Sequence, residues 1–198
     1  MLAPRRAAVV DHPWTWLHQV HGADVVVVEH PGQHAGASAD AAVTATSGAV
    51  LAVTTADCVP LVLVGDGAVG VAHAGWRGLV AGVVGATAAA MADLGAPPRR
   101  AVVGPCVRPA CYEFGTDDLD VVAARFGDGV RAVTTDGRPA LDVAAGVRAA
   151  LAEVGVLHVS DDGTCTACDA ERYWSFRARG EAGRVATVAW IEGEEGTT

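Results

Sequence analysis

Apolar and polar positions along this chain change period several times, and each change marks an element. Trp14–Val20 and Val25–Glu29 carry aromatic and β-branched residues in short runs, which predicts two strands turned by Gly22-Ala23-Asp24. Pro31–Ala39, rich in Gly, Ser, Gln and His, reads as a loop. Leu51–Thr55 and Leu61–Val64 are near-continuous apolar runs, the pattern of strands buried on both faces. Gly65-Asp66-Gly67 marks a tight turn into a further strand at Ala68–Ala72. From Gly78 to Leu94 the chain becomes Ala-rich with apolar residues at helical spacing. That predicts one helix, weakened by Gly82 and Gly85 and stopped by Gly95-Ala96-Pro97-Pro98. Ala101–Val103 predicts a strand. Thr116 reads as the N-cap of a helix with Asp117 and Asp118 in its first turn. Asp142–Val154 predicts another helix, capped by Asp142 and ended by Gly155. Val156–Val159 and Arg184–Ile191 complete the strands, and Glu192–Thr198 is a polar tail.

Strands and helices mix without regular βαβ alternation, repeat or linker. The expected fold class is therefore α/β, a mixed-sheet α/β sandwich forming a single domain over residues 1–198, rather than a doubly wound sheet.

Composition narrows the function. At 198 residues, 51% hydrophobic and 19% charged, the chain is long and apolar enough for one sizeable core. Its apolar runs fall short of the ~20 residues that span a bilayer. Met1-Leu2-Ala3-Pro4-Arg5-Arg6 lacks the apolar core of a signal peptide, so a cytoplasmic location without membrane association is expected. The net charge of −9 argues against a nucleic-acid partner but leaves room for a small anion in a local basic pocket. There is no lysine, which removes a Walker P-loop and a pyridoxal phosphate Schiff base. An odd set of five cysteines (Cys58, Cys106, Cys111, Cys165, Cys168) favours reduced thiols over a disulfide framework. A monomer is the default expectation.

Three residues carry the chemistry: His21 in Gln-Val-His-Gly, Cys58 in Ala-Asp-Cys-Val-Pro, and His73 in His-Ala-Gly-Trp-Arg-Gly. Each ends a strand-like run, where side chains of separate strands can meet at one sheet edge. Two imidazoles and a thiolate suit zinc, and three protein ligands leave a tetrahedral ion one open position, the catalytic pattern. Gly75-Trp76-Arg77-Gly78 opens a helix, whose free N–H groups suit a phosphate or carboxylate. Arg77 adds a bidentate fork and Trp76 a stacking face; equally, Arg77 serves a salt bridge and Trp76 fills core. Asp57 either orients a metal-binding imidazole or caps the turn before Pro60. The pairs Cys106/Cys111 and Cys165/Cys168 resemble halves of a four-thiolate zinc ribbon; alternatively Cys106 and Cys165 line the cavity.

These motifs occur in order with Ala39-Asp40-Ala41, Gly104-Pro105-Cys106, Cys111-Tyr112-Glu113, Cys165-Thr166-Ala167-Cys168 and Tyr173-Trp174-Ser175-Phe176-Arg177. From Trp16 to Ile191 the chain thereby resembles the YfiH-type laccase-domain family of polyphenol oxidases and purine nucleoside phosphorylases. The resemblance implies a sandwich similar to the catalytic domain of cytotoxic necrotizing factor toxins and one zinc on His21, Cys58 and His73. It implies phosphorolysis of adenosine, inosine, guanosine and S-methyl-5'-thioadenosine, with deamination of adenosine besides. On that expectation Arg77 and the Gly75 helix start hold phosphate, Trp76 or Tyr112 stacks on the base, and Asp57 or Glu113 protonates the purine. Three alternatives stand beside it. One is a copper-dependent phenol oxidase, for which only two of the seven histidines lie in strong motifs and no His-x-His pair exists. Another is a Cys–His hydrolase with Cys58 as nucleophile and His73 as base. The third is a binding module without turnover. Family members carry, before Gln-Val-His-Gly, a segment with Thr- or Ser-Arg-x-Gly-Gly and Asn-Leu-Gly patterns. Neither pattern lies in the residues before Gln19. Either the chain start is misassigned, or the site lacks that arginine, or Arg77 and Arg5 or Arg6 replace it.

Overall fold

The computed structural model describes residues 6–193; Arg5 and the end of the polar tail lie outside them. The strands are β1 (Trp14–Trp16), β2 (Val25–Val27), β3 (Ala41–Thr44), β4 (Val50–Thr55), β5 (Val59–Gly65), β6 (Val69–Ala74), β7 (Pro98–Val103), β8 (Arg131–Val133), β9 (Pro139–Leu141), β10 (His158–Asp161) and β11 (Val185–Ala189). The helices are α1 (Trp76–Ala81), α2 (Val83–Asp93), α3 (Thr116–Phe126), α4 (Val143–Glu153) and α5 (Phe176–Arg179).

A six-stranded sheet in the order β10-β7-β5-β6-β3-β2 forms the middle layer, a three-stranded sheet β1-β4-β11 covers one face, and β8-β9 form a small hairpin. Pairing is mixed: β10 with β7, β2 with β3 and β1 with β4 are parallel, while β5 runs antiparallel to both neighbours. The period-2 alternation of strands splits the core in two. On β3, Ala41 and Val43 face the helices while Ala42 faces the small sheet; on β6, Ala72 and Ala74 divide from Val71 in the same way. The expected mixed-sheet α/β sandwich is therefore the observed architecture.

Local details depart from expectation for identifiable reasons. The chain leaves the β1 ladder after Trp16, and beyond it only His18 keeps a bridge, to Ser38. The N–H groups of Val20, His21 and Gly22 turn instead to the carboxylate of Asp40. The single helix expected over Gly78–Leu94 is two, broken where Gly82 adopts φ +96°, a left-handed conformation open to glycine. Thr116 is the first helical residue, not the cap; the N-cap of α3 is Gly115. Asp142 does cap α4, accepting from Ala145 N at 2.8 Å. Strand β10 lies two residues later than Val156–Val159 and pairs with β7. Strand β3 was not foreseen, because Ala-Ala-Val-Thr lacks alternation and opens on two alanines; it is a strand because both its faces are buried.

Candidate active site

The β5–β6 register builds the site. Pro60 pairs with His73 and Val59 with Ala74, so Cys58, one residue before β5, sits beside the end of β6. His21 arrives on the loop between β1 and β2. One ligand atom from each of His21, Cys58 and His73 falls within 4.8 Å of the others, so the expected convergence is geometrically met. The two imidazole rings stand edge-on, centroids 4.7 Å apart.

Asp40 organises both histidines. It is fully buried, and its Oδ1 accepts from His73 Nδ1 at 2.7 Å and from His21 N at 3.0 Å. Its Oδ2 accepts from Gly22 N at 2.7 Å and Val20 N at 3.1 Å. Burial works against its charge, but the bonds from His73, Gly22 and Val20 outweigh it and hold the carboxyl below its ordinary range. Burial likewise works against a charged His73, yet the bonds to Asp40 and Cys58 raise its pKa to about 9. With Nδ1 committed to Asp40, Nε2 is the nitrogen left to face the site, the usual arrangement behind a metal-binding histidine. Burial, then the neighbouring His73 and Arg77, lower the pKa of His21.

The imidazole-orienting role considered for Asp57 thus belongs to Asp40. Asp57 accepts from Thr166 Oγ1 at 2.7 Å and from Arg177 N at 2.6 Å, tying a distant loop to the site. His21 (φ +59°) and Asp57 (φ +92°) are two of three non-glycine residues with positive φ among the described residues. Such strain concentrates where surroundings impose it for function. Gly75 is required sterically: a Cβ there would stand 2.6 Å from His21 Nδ1 and 3.1 Å from Cys58 Sγ.

The three side chains open into a cavity of about 630 Å³, within the range of small-molecule sites. Arg77, Arg177 and Arg184 line it. None of the three has a carboxylate partner among the described residues, although eight other arginines do. In a chain of net charge −9, such cations left unneutralised in one cavity mark a place for an anion. Arg77 lies over the Trp76 ring at 4.3 Å, and Arg177 over the Tyr112 ring at 5.1 Å. Both rings also meet Phe114 edge-on. Burial and the neighbouring Cys58 push the Tyr112 phenol up to about 12, so it stays protonated. The exposed rings on the cavity wall are Trp16 and Phe176.

Other expected residues lie elsewhere. Glu113 is paired with Arg138 and does not line this cavity. Arg6 lies over Trp14 and Trp16, at 5.5 and 5.8 Å, and does not line it either. Cys106 and Cys165 are absent from the wall, where Cys58 is the cysteine present. The four-thiolate ribbon does not assemble: Cys111, Cys165 and Cys168 cluster without Cys106, whose buried thiol is pushed up to about 12. Asp40, Arg177 and Arg184 had no role assigned from sequence. Asp40 and Arg177 stood within motifs, but nothing in their spacing points to His73 or to the cavity.

The layered mixed-sheet sandwich is the fold of the solved YfiH and YlmD proteins. The chain belongs to the multi-copper polyphenol oxidoreductase laccase family, which matches residues 2–192. It is 44% identical over 182 residues to a protein of Streptomyces coelicolor named purine nucleoside phosphorylase, covering 89% of this chain and 74% of that one. A protein of the same name from Deinococcus radiodurans is 41% identical over 189 residues, covering 92% and 72%. Among solved structures, a Neisseria meningitidis protein superposes with a TM-score of 0.84 at 31% identity, covering 96% of this chain and 79% of that one. YlmD from Geobacillus stearothermophilus superposes at 0.85 and 29% identity, with the same coverage. No helix among the described residues is long and apolar enough to cross a membrane.

Proposed function

We propose that this chain is a zinc-dependent purine nucleoside phosphorylase. Its substrates on this reading are phosphate with adenosine, inosine, guanosine or S-methyl-5'-thioadenosine, and adenosine deamination is a side activity. The observation that carries the reading is the meeting, in one cavity, of the His21–Cys58–His73 cluster with three arginines that have no carboxylate partner among the described residues. The relatives named purine nucleoside phosphorylase support the same reaction class.

The donor set fits zinc: two imidazoles and one thiolate, a hydrogen-bonded acceptor behind His73, and room left by Gly75. Zinc, when held by His21, Cys58 and His73, would supply a Lewis acid beside the substrate. A laccase reaction needs several coppers, and the cavity wall offers His18, His21 and His73 as its histidines, too few for a copper cluster. That favours zinc over copper.

Phosphorolysis breaks the bond between ribose C1′ and the purine nitrogen through a ribose carrying positive charge, while phosphate attacks from the opposite face. Arg77, Arg177 and Arg184 hold the phosphate, whose oxygens suit the guanidinium fork. Trp76 and Tyr112 seat Arg77 and Arg177 through cation–π contacts, which fixes their direction. Trp16 and Phe176 offer exposed rings to the purine. Tyr112, kept neutral, offers an O–H to the purine, since the carboxylate of Asp57 is occupied by Thr166 and Arg177.

The order Cys58–His73–Asp40 is also that of a thiol hydrolase triad. His21 has no part in a triad and completes a metal set, which favours the metal. Free-base release from a nucleoside panel, with and without phosphate and chelator, tests the reading. Phosphate-dependent release that chelation and His73→Ala both abolish is expected. Release untouched by either change overturns it. Metal-protected Cys58 that alkylates after chelation supports ligation over nucleophilic catalysis.

A further inference from the structure

A second group of thiols sits outside the cavity. Cys111 ends the 3-10 turn Pro109–Cys111, Cys165 and Cys168 come from the loop after β10, and their sulfurs lie within 4.8 Å of one another. All three are free cysteines. Cys111 and Cys168 Sγ are 3.2 Å apart, in contact but unbonded. Sulfurs bound to one tetrahedral cation at ~2.3 Å stand about 3.8 Å from each other, a spacing this group reaches with small side-chain rotations.

The backbone is arranged for negative sulfur. Cys165 Sγ accepts from Arg108 N at 3.4 Å, and the backbone amides of Cys168 and Ala167 favour its charged form as well. Burial opposes the charge, but these donors prevail and lower the Cys165 thiol below its ordinary value. Its neighbour goes the other way: the hydrogen bond with Cys168 pushes Cys111 up to about 12. Three sulfurs this close resist joint ionisation unless a cation lies between them.

We propose that Cys111, Cys165 and Cys168 form a second, three-thiolate site for a soft d10 cation, zinc(II) or copper(I). Each thiol still protonated releases its proton to solvent on binding, and no electron is transferred. Cys168 is exposed, so the remaining coordination position faces water. The site clamps two segments that are 57 residues apart at Cys111 and Cys168. Thr166, between the loop cysteines, donates to Asp57, and Tyr112, beside Cys111, lines the main cavity. The clamp therefore fixes the wall that carries Arg177, and it does so whatever reaction the cavity performs.

The test uses full-length Cys58→Ser/His73→Ala protein, in which the first cluster is removed, reduced, stripped with chelator and handled without air. It is titrated in separate arms with zinc, with cobalt(II) as a coloured zinc probe, and with copper(I). We expect one equivalent bound, a thiolate-to-cobalt charge-transfer band, a higher melting temperature, and loss of all three on adding Cys165→Ser and Cys168→Ser. The arm that binds tighter names the ion. No bound equivalent, an unchanged affinity in the cysteine variant, or a Cys111–Cys168 disulfide persisting in the reduced protein overturns the proposal. If the starting variant fails to fold, metal content of the parent and of Cys168→Ser gives the same decision: two equivalents falling to one supports it, and equal content overturns it.

Discussion

Replacing Asp40 by Asn tests how the site is held. Each Asp40 oxygen accepts two hydrogen bonds, His73 Nδ1 and His21 N on one, Gly22 N and Val20 N on the other. An amide keeps one oxygen and turns an NH₂ toward the remaining two donors, so two bonds are lost in a fully buried place. At about 1.5–3 kcal/mol for each hydrogen bond to a charged group, the metal-free fold loses about 3–6 kcal/mol. For a chain of this size that lowers the melting temperature by roughly 6–24 °C. An amide whose NH₂ faces Nδ1 of His73 leaves that ring without its acceptor, and one whose NH₂ faces Gly22 N and Val20 N loosens the loop that carries His21, so zinc affinity falls about 10–100-fold, the usual effect of losing a partner behind a ligand. Thermal melts of chelator-stripped protein measure the first effect, and competition with a chromogenic chelator measures the second. Asp57→Asn is the control: its two partners are Thr166 Oγ1 and Arg177 N, and zinc affinity should stay at the parent value. Parent-like zinc affinity and melting in Asp40→Asn, or a loss of affinity confined to Asp57→Asn, refutes the assignment.

Two more outcomes follow from the same geometry. Gly75→Ala has a backbone suited to alanine (φ −72°), so its effect is steric: the new Cβ pushes His21 and Cys58 apart. Zinc affinity should fall about tenfold or more, with about 1–3 kcal/mol lost in the metal-free protein from overpacking. The pH dependence concerns His73, whose folded pKa of about 9 exceeds its ordinary 6.5. Being raised, it contributes stability fully present below 6.5 and lost as pH climbs through about 9. Metal-free protein should therefore melt at a lower temperature at pH 9 than at pH 6.5. Zinc affinity should rise over the same window, because the metal displaces the His73 proton; melting scans with and without zinc at both pH values check both signs.

The strongest elements were legible because they are local. Apolar runs at β4, β5 and β6 have a short period, and Asp142 with Gly155 brackets α4 in the chain itself. Gly82 was legible as a weakness but not as a break, since whether a helix tolerates glycine depends on what it packs against. β3 was hidden because alanine strands exist through burial by their neighbours. The hairpin β8-β9 carried no pattern at all at three residues a strand.

For the site, residue chemistry and motif position by themselves picked out His21, Cys58 and His73 as candidate donors, together with the candidate cation Arg77. Ligand type is a property of the side chain and survives any fold. Only the tertiary structure decided which carboxylate stands behind His73, which arginines share the cavity, and which cysteines meet. Asp40 lies 33 residues from His73, and Asp57 lies 109 and 120 residues from its partners Thr166 and Arg177. Hydrogen bonds and metal bonds act over a few ångströms, and separations of that size close only when strand register and loop packing have set every backbone position.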